Sequence, residues 1–344
     1  MESEESWTMG TIEQGVRQVI DNCLRIRPGE RVVVITDRPT LAIGEALRVA
    51  AEKIVGSVQF FLMEDFGTRP VAFPSIIAEA LRNADVSIYA AQGAEGELQT
   101  FRKPMLKAVD ANPKLRHAHM IGITTQIMTD GMCSDYAEIQ RISKQVYEVV
   151  HSARAIRVVT AKGCDFAARF SPSLKWIISD GDIRPRHWTN LPDGEVFTAP
   201  ASVDGRVVIV GCLGDYFTER YASLAETPVT VDVRDGCAVR GSLRCDNEQL
   251  RRELDAYVFE TDANSSRVGE FAIGTNTGLT RLIYNLLQDE KFPGVHIAFG
   301  SPYPAKTGAT WDSAAHVDGV IIAPSIYVDG RTLMDQGRFC LEGM

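Results

Sequence analysis

Four β-rich runs, residues 31–36, 58–62, 86–89 and 120–124, are separated by stretches with helical spacing, such as 41–55 and 74–82. Strands joined through helices cannot be hairpin partners, so the alternation predicts crossover connections and a mostly parallel sheet with helices on its faces. An opening helix is expected from Thr11 to Ile26, because Ile12, Val16, Val19, Ile20, Cys23 and Leu24 recur on one face before Pro28-Gly29 stops the pattern. A last helix, about Asp135 to Ser152, carries Ile139, Ile142, Val146 and Val149 on one face and closes this half.

After Ala155 the texture changes to shorter strands between Gly-Asp turns: 156–160, 207–210, 229–233, 271–273, 296–299 and 317–322. Helical spacing is confined to about 247–259 and 279–288. The expected fold is therefore an α/β N-terminal domain with a mostly parallel sheet, residues 1–153, followed by an α+β C-terminal domain, residues 154–344, with a mixed or antiparallel sheet. A chain of 344 residues fits two cores at roughly 150 residues per domain.

With 36 Lys+Arg against 45 Asp+Glu, the formal net charge is -9, which excludes the electrostatic footprint that gathers nucleic acid or anionic lipid. Seven cysteines, odd in number and without a C-x-x-C, indicate neither a disulfide framework nor a zinc-thiolate knuckle and suit a reducing cytoplasm. The start Met1-Glu-Ser-Glu-Glu-Ser6 lacks the basic and apolar stretches of a signal peptide, and no run approaches the roughly 20 apolar residues of a membrane span. A cytoplasmic protein without membrane partners is expected.

Among six histidines, His316 stands in His316-Val-Asp318 at the head of an apolar run. On a strand, residues i and i+2 share a face, so the imidazole and carboxylate point together, as a divalent metal site requires. A structural His–Asp pair reads equally well. His296 opens a second short strand, His296-Ile-Ala-Phe-Gly-Ser301, with Tyr303 just beyond. Glu195 and Glu270 each head an apolar run whose burial would strand an ionised carboxylate, a cost of several kcal/mol that a cation removes. Pairing with a lysine, Lys291 or Lys306, is the bland alternative.

Taken in order, Asn190-Leu-Pro-Asp-Gly-Glu-Val-Phe-Thr-Ala-Pro200, Gly269-Glu-Phe-Ala-Ile-Gly-Thr-Asn276, Glu290-Lys with Val295-His-Ile-Ala-Phe-Gly300, and His316-Val-Asp-Gly-Val-Ile321 resemble the aminopeptidase T and aminopeptidase S family of two-metal metallopeptidases. The likeness is strongest over about 190–323 and looser over Arg27-Pro-Gly-Glu-Arg-Val-Val-Val34 and Asn83-Ala-Asp-Val86. It implies a metal centre of two divalent ions, zinc, cobalt or manganese, at Glu195, Glu270, His296, His316 and Asp318. One glutamate would bridge and take a proton from the attacking water, and Tyr303 would donate to the oxyanion. It further implies an aminopeptidase acting on a peptide or small amide, a C-terminal domain that carries the metal, an N-terminal domain that walls the cleft, and a homodimer. The loop Ser301-Pro-Tyr-Pro-Ala-Lys-Thr-Gly308 departs from the asparagine- and glycine-rich loop usual in the family.

Two other readings stand beside this one. The ring-cleaving 2,5-dihydroxypyridine dioxygenases resemble the same scaffold and hold Fe(II), with His316 and Asp318 in the matching place. Their further iron-binding histidine falls on Glu270, and they lack a glutamate at Glu195. A family member repurposed to bind a peptide or small molecule without hydrolysis is the third. Elsewhere, His117 and His119 put two imidazoles on one strand face without a third ligand, Gly93-Ala-Glu-Gly96 is too sparse for a dinucleotide fingerprint, and Cys164 has no histidine at nucleophile-base spacing. His187 reads as a turn anchor, and His151 as the end of a helix, where a cation suits the dipole.

Overall fold

The computed structural model of the chain describes residues 10–186 and 188–341, so the acidic N-terminal hexapeptide and His187 lie outside the described residues. The chain forms two compact units, one comprising residues up to 137 with 181–193, the other 138–180 with 194 onward.

In the first unit five strands lie in the order Val58–Leu62, Val32–Thr36, Val86–Ala91, Arg116–Ile121 and Trp188–Asn190, every neighbouring pair parallel. Val32–Thr36 is buried at all five positions, as befits a β-branched run covered on both faces. Val33, Ile35 and Tyr89 pack with Ile77 and Leu81 of helix Ser75–Asn83 and with Phe101 and Met105. The opening helix starts where expected, with Thr11 and Gln14 forming a reciprocal capping box, and passes from α over Ile12–Arg17 to π over Gln18–Cys23. The fourth strand differs from expectation. It runs from Arg116 to Ile121 rather than from 120 to 124, because two buried histidines interrupt the apolar pattern that marks a strand.

In the second unit both sheets are antiparallel. One has eight strands and centres on Ser202–Ile209, Asp165–Arg169, Ala155–Val159 and Ser325–Val328; the other orders His316–Ile322, Gly294–Gly300, Val268–Gly274, Glu195–Thr198 and Ile177–Ser179. Val158, Phe166, Val203 and Val207 of the first sheet share one core with Phe271, Ile273, Ile297 and Phe299 of the second. Phe271 meets Phe166, Phe170 and Trp176 edge-on, with centroids 5.4 to 6.4 Å apart.

The helix expected over 279–288 is a correction. Only Leu286–Asp289 is helical, because the Asp289 carboxylate accepts the backbone N–H groups of Ile283, Tyr284 and Asn285 while Tyr284 sits at φ 58°. A carboxylate gathering three consecutive amides favours a tight loop over a continuing helix. The helix at 247–259 forms as Glu248–Glu260, capped by the Asn247 side chain on Leu250 N. Among the described residues no helix is long and apolar enough to cross a membrane.

Candidate metal centre

The five-stranded sheet divides its side chains by period two. Phe271, Ile273, Val295, Ile297, Phe299 and Val317 enter the core, and the alternate positions carry the donors. Across one neighbouring strand each sheet donor faces a small residue, Glu195 opposing Gly274, Glu270 Ala298, His296 Ala272, Asp318 Ala298 and His316 Gly300, while on its other side His296 faces Val320. Small partners leave room between donors that larger cross-strand side chains would fill. Glycine is also required on the bulged strand, since a Cβ at Gly269 would lie 2.2 Å from Gly300 O.

The donors form three overlapping groups whose ligand atoms lie within 4.8 Å of one another: Glu195, Glu270 and His296; Glu270, His316 and Asp318; Glu290, His296 and Asp318. His296 Nε2 is 3.4 Å from Glu195 Oε2 and 3.5 Å from Glu270 Oε1. His316 Nε2 is 3.4 Å from Asp318 Oδ2 and 3.6 Å from Glu270 Oε2. Glu195, Glu270, His296 and Asp318 are buried, whereas Glu290 is half-buried and the His316 side chain keeps 21% of its exposure.

Charge explains the protonation. Burial alone would lower His296, but a hydrogen bond to Glu270 and the charges of Glu195, Glu270 and Asp318 prevail and raise it to about 9. Burial likewise opposes, and Asp318 and Glu270 overcome, the rise of His316 to about 10. Burial pushes Glu290 up to about 8 despite Lys291. The Asp318 carboxyl is held below its ordinary value against burial, chiefly by His316.

Second-layer contacts fix His316. Its Nδ1 lies 3.0 Å from Ser301 O, an acceptor only, so Nδ1 carries the proton and Nε2 faces the carboxylates. Tyr257 OH clamps the His316 backbone, accepting from N at 3.0 Å and donating to O at 3.3 Å. Tyr303 holds a left-handed backbone, φ 51°, at the start of the turn Pro304–Thr307, and its OH reaches to 3.1 Å from His316 Nε2. Although the ring is exposed overall, desolvation at its hydroxyl, then the charges of Glu270 and Asp318, push the phenol well above its ordinary value, so it stays protonated.

The structure thus brings together all six residues singled out in the sequence: Glu195, Glu270, His296, Tyr303, His316 and Asp318. It adds Glu290 to the donors, and the lysine pairing raised for the glutamates is also present: Lys291 Nζ lies 2.7 Å from both Glu195 Oε1 and Glu290 Oε1. As a charged triplet after a leucine pair, Asp289-Glu290-Lys291 has the look of a solvated turn; only the likeness of the Glu290-Lys motif pointed to it. Lys306 stacks over the rings of Phe197 and Tyr303 at 5.9 and 5.8 Å.

The other candidates lie apart from this chemistry. His117 and His119 share one strand face and are buried, Nε2 to Nδ1 at 3.3 Å, with Ser87 on His117 and Tyr89 stacked on His119. Burial alone drives His117 down to about 3, and burial, then His117 and Arg102, drive His119 well below its ordinary value; neither belongs to a donor group. Burial raises the Cys164 thiol to about 12, which removes it as a nucleophile at neutral pH. His151 Nδ1 lies 3.0 Å from Tyr147 O at the end of helix Tyr136–Val150, a helix-terminal role.

The residues fit a divalent metal. Glu195 Oε2 and His296 Nδ1 are buried without a hydrogen-bond partner, carboxylates outnumber bases in a closed space, and an all-oxygen and nitrogen donor set suits zinc, cobalt or manganese.

None of the curated proteins matches the chain in sequence. Two solved structures share its fold: 2,5-dihydroxypyridine dioxygenase from Pseudomonas putida KT2440, 15% identical with a TM-score of 0.70 over 95% of this chain and 96% of that one, and wild-type AmpT from Thermus thermophilus, 18% identical with a TM-score of 0.66 over 96% and 98%. The family model described as thermophilic metalloprotease (M29) matches residues 114–339, a stretch that holds every donor named above. With about two thirds of its length matched, the chain belongs to the thermophilic metalloprotease (M29) family and is a hydrolase of the metallopeptidase class.

Proposed function

We propose that this chain is an aminopeptidase that hydrolyses the N-terminal bond of a peptide or small amide at a centre of two divalent ions. The observation that carries the reading is the convergence of Glu195, Glu270, His296, His316 and Asp318 on one sheet face, joined by Glu290 from the end of helix Leu286–Asp289, with Glu270, His296 and Asp318 each common to two of the donor groups. Those six residues would hold the ions. When bound, the metal supplies a water acidic enough to ionise near neutral pH and a positive charge opposite the developing oxyanion. The chain does the rest. Glu270 takes the proton of the attacking water and returns it to the leaving amine, and the protonated Tyr303 phenol, freed from His316 Nε2, donates to the oxyanion. Ser301 O keeps the proton on Nδ1 of His316, so Nε2 stays available as a ligand.

The donor set disfavours the dioxygenase reading. A facial iron triad takes two histidines and one carboxylate, whereas the group at His316 holds one histidine and two carboxylates. By its family resemblance the protein acts as a homodimer in the cytoplasm.

The test is a screen of aminoacyl-nitroanilides and free peptides with added cobalt, zinc or manganese, read beside metal content. Cleavage from the N-terminus with bound metal is expected. Purified protein that binds no divalent ion, with His316→Ala binding as much as wild type, would sink the reading; peptide binding without turnover under every metal would favour a repurposed binder, and oxygen uptake with a dihydroxypyridine would revive the dioxygenase.

A further inference from the structure

Lys291 is 2% exposed, yet it carries an ammonium group into the same closed space as the donor set. Its placement is built into the fold. Asp289, held by three backbone amides and by the Cys212 thiol, locks the preceding turn, and Lys291 O accepts from Asn276 N at 3.1 Å. Gly274 lets the neighbouring strand reach this turn, since a Cβ there would lie 2.0 Å from Phe292 O. The ammonium then takes Oε1 of Glu195 and Oε1 of Glu290, one from each of two donor groups, and leaves Glu195 Oε2 without a hydrogen-bond partner, 3.4 Å from His296.

We infer that Lys291 is a positioning residue that acts as a built-in counter-cation: it holds Glu195 and Glu290 in place when the metal is absent and weakens retention of the divalent ion when the metal is bound. This rests on the metal centre proposed above. A fixed positive charge beside a dication in a space of low dielectric repels it, while the same charge relieves the repulsion among three buried carboxylates and the half-buried Glu290 in the metal-free chain. A lysine with a purely structural role would stabilise both states alike.

The experiment titrates metal-free protein with Mn2+ alone, by calorimetry, beside the thermal midpoint of the metal-free form. Lys291→Met, similar in length and uncharged, is expected to lower the metal-free midpoint by about 5 °C or more and to tighten Mn2+ binding at least about tenfold. In case that variant does not fold, the pair Glu290→Gln and Glu290→Gln with Lys291→Met removes carboxylate and ammonium charge together; the double variant should again bind Mn2+ more tightly than the single. Equal or weaker binding after loss of the ammonium overturns the inference. Wild type that takes up no Mn2+ overturns the metal centre and this inference with it, whereas wild type that binds while the lysine variants bind no tighter overturns this inference alone.

Discussion

Each unit holds a pair of histidines, all buried but His316, and the two pairs behave in opposite ways. His117 and His119 sit in the parallel sheet with Ser87, Tyr89 and each other as neighbours, and burial holds both neutral. His296 and His316 are desolvated too, but Glu195, Glu270 and Asp318 draw protons onto them. Desolvation lowers all four imidazoles and so does not separate the pairs; the carboxylates within 4 Å do. An imidazole surrounded by acids is already held by a cation, the proton, and a divalent ion can take that place.

The largest expected effect tests whether the carboxylates set this difference. Glu270→Ala should lower kcat/KM by about three orders of magnitude or more, about 4 kcal/mol of transition-state stabilisation, with metal content falling in the same preparation. His119→Phe, by contrast, should leave metal content and kcat/KM unchanged. A loss of metal on changing His119 would erase the distinction between the pairs.

Tyr303→Phe comes next. It removes the hydroxyl proposed to donate to the oxyanion and keeps the ring, so kcat should fall by about 10²-fold with metal content preserved. Steady-state kinetics beside metal analysis separates this from loss of the ion.

The pH dependence of stability should show the opposite signs directly. A histidine lowered on folding stabilises the fold above its unfolded value of 6.5 and loses that contribution as pH falls towards about 3, so His117 should cost about 1.4 kcal/mol per pH unit over that window. His296 and His316 are raised, so their contribution in the metal-free chain is complete below 6.5 and lost as pH rises through about 9 and about 10. Thermal midpoints of metal-free protein should therefore fall on both flanks. Loading the metal should abolish the alkaline loss, because bound imidazoles have already given up the proton. An alkaline loss that persists in loaded protein would contradict the assignment of these two histidines as ligands.

The smallest effect is on packing in the first unit. His117→Leu breaks the hydrogen bond to Ser87 and leaves that hydroxyl buried, so stability should fall by about 1 to 3 kcal/mol in denaturant unfolding without change in activity.

Much of this arrangement is legible in the residues. Val32 to Thr36 and Val58 to Leu62 are read as strands because their runs are β-branched and aromatic, although only the first is buried throughout. Trp188–Asn190 is not legible: three residues cannot display a period, and their place beside Arg116–Ile121 is a long-range pairing. The expected helix over 279–288 fails for a related reason, since its periodicity is real but Asp289 captures the amides that a helix would use. At the site, His316 and Asp318 declare a shared face by their spacing, whereas Glu290 and Lys291 look like an ordinary solvated turn.

The sequence by itself therefore determined the alternation that makes the first sheet parallel, the donor types, and the spacing that puts His316 and Asp318 on one strand face. These are local consequences of period and chemistry, carried by residues close together in the chain. Only the tertiary structure decided that Glu270, His296 and Asp318 are each shared between two donor groups, that Glu290 joins them, and that Lys291 stands between Glu195 and Glu290. Those facts depend on antiparallel register between the sheet strands and on the turn that brings Glu290 and Lys291 to them. Distance between side chains is a property of the packed sheet, and no local pattern encodes it.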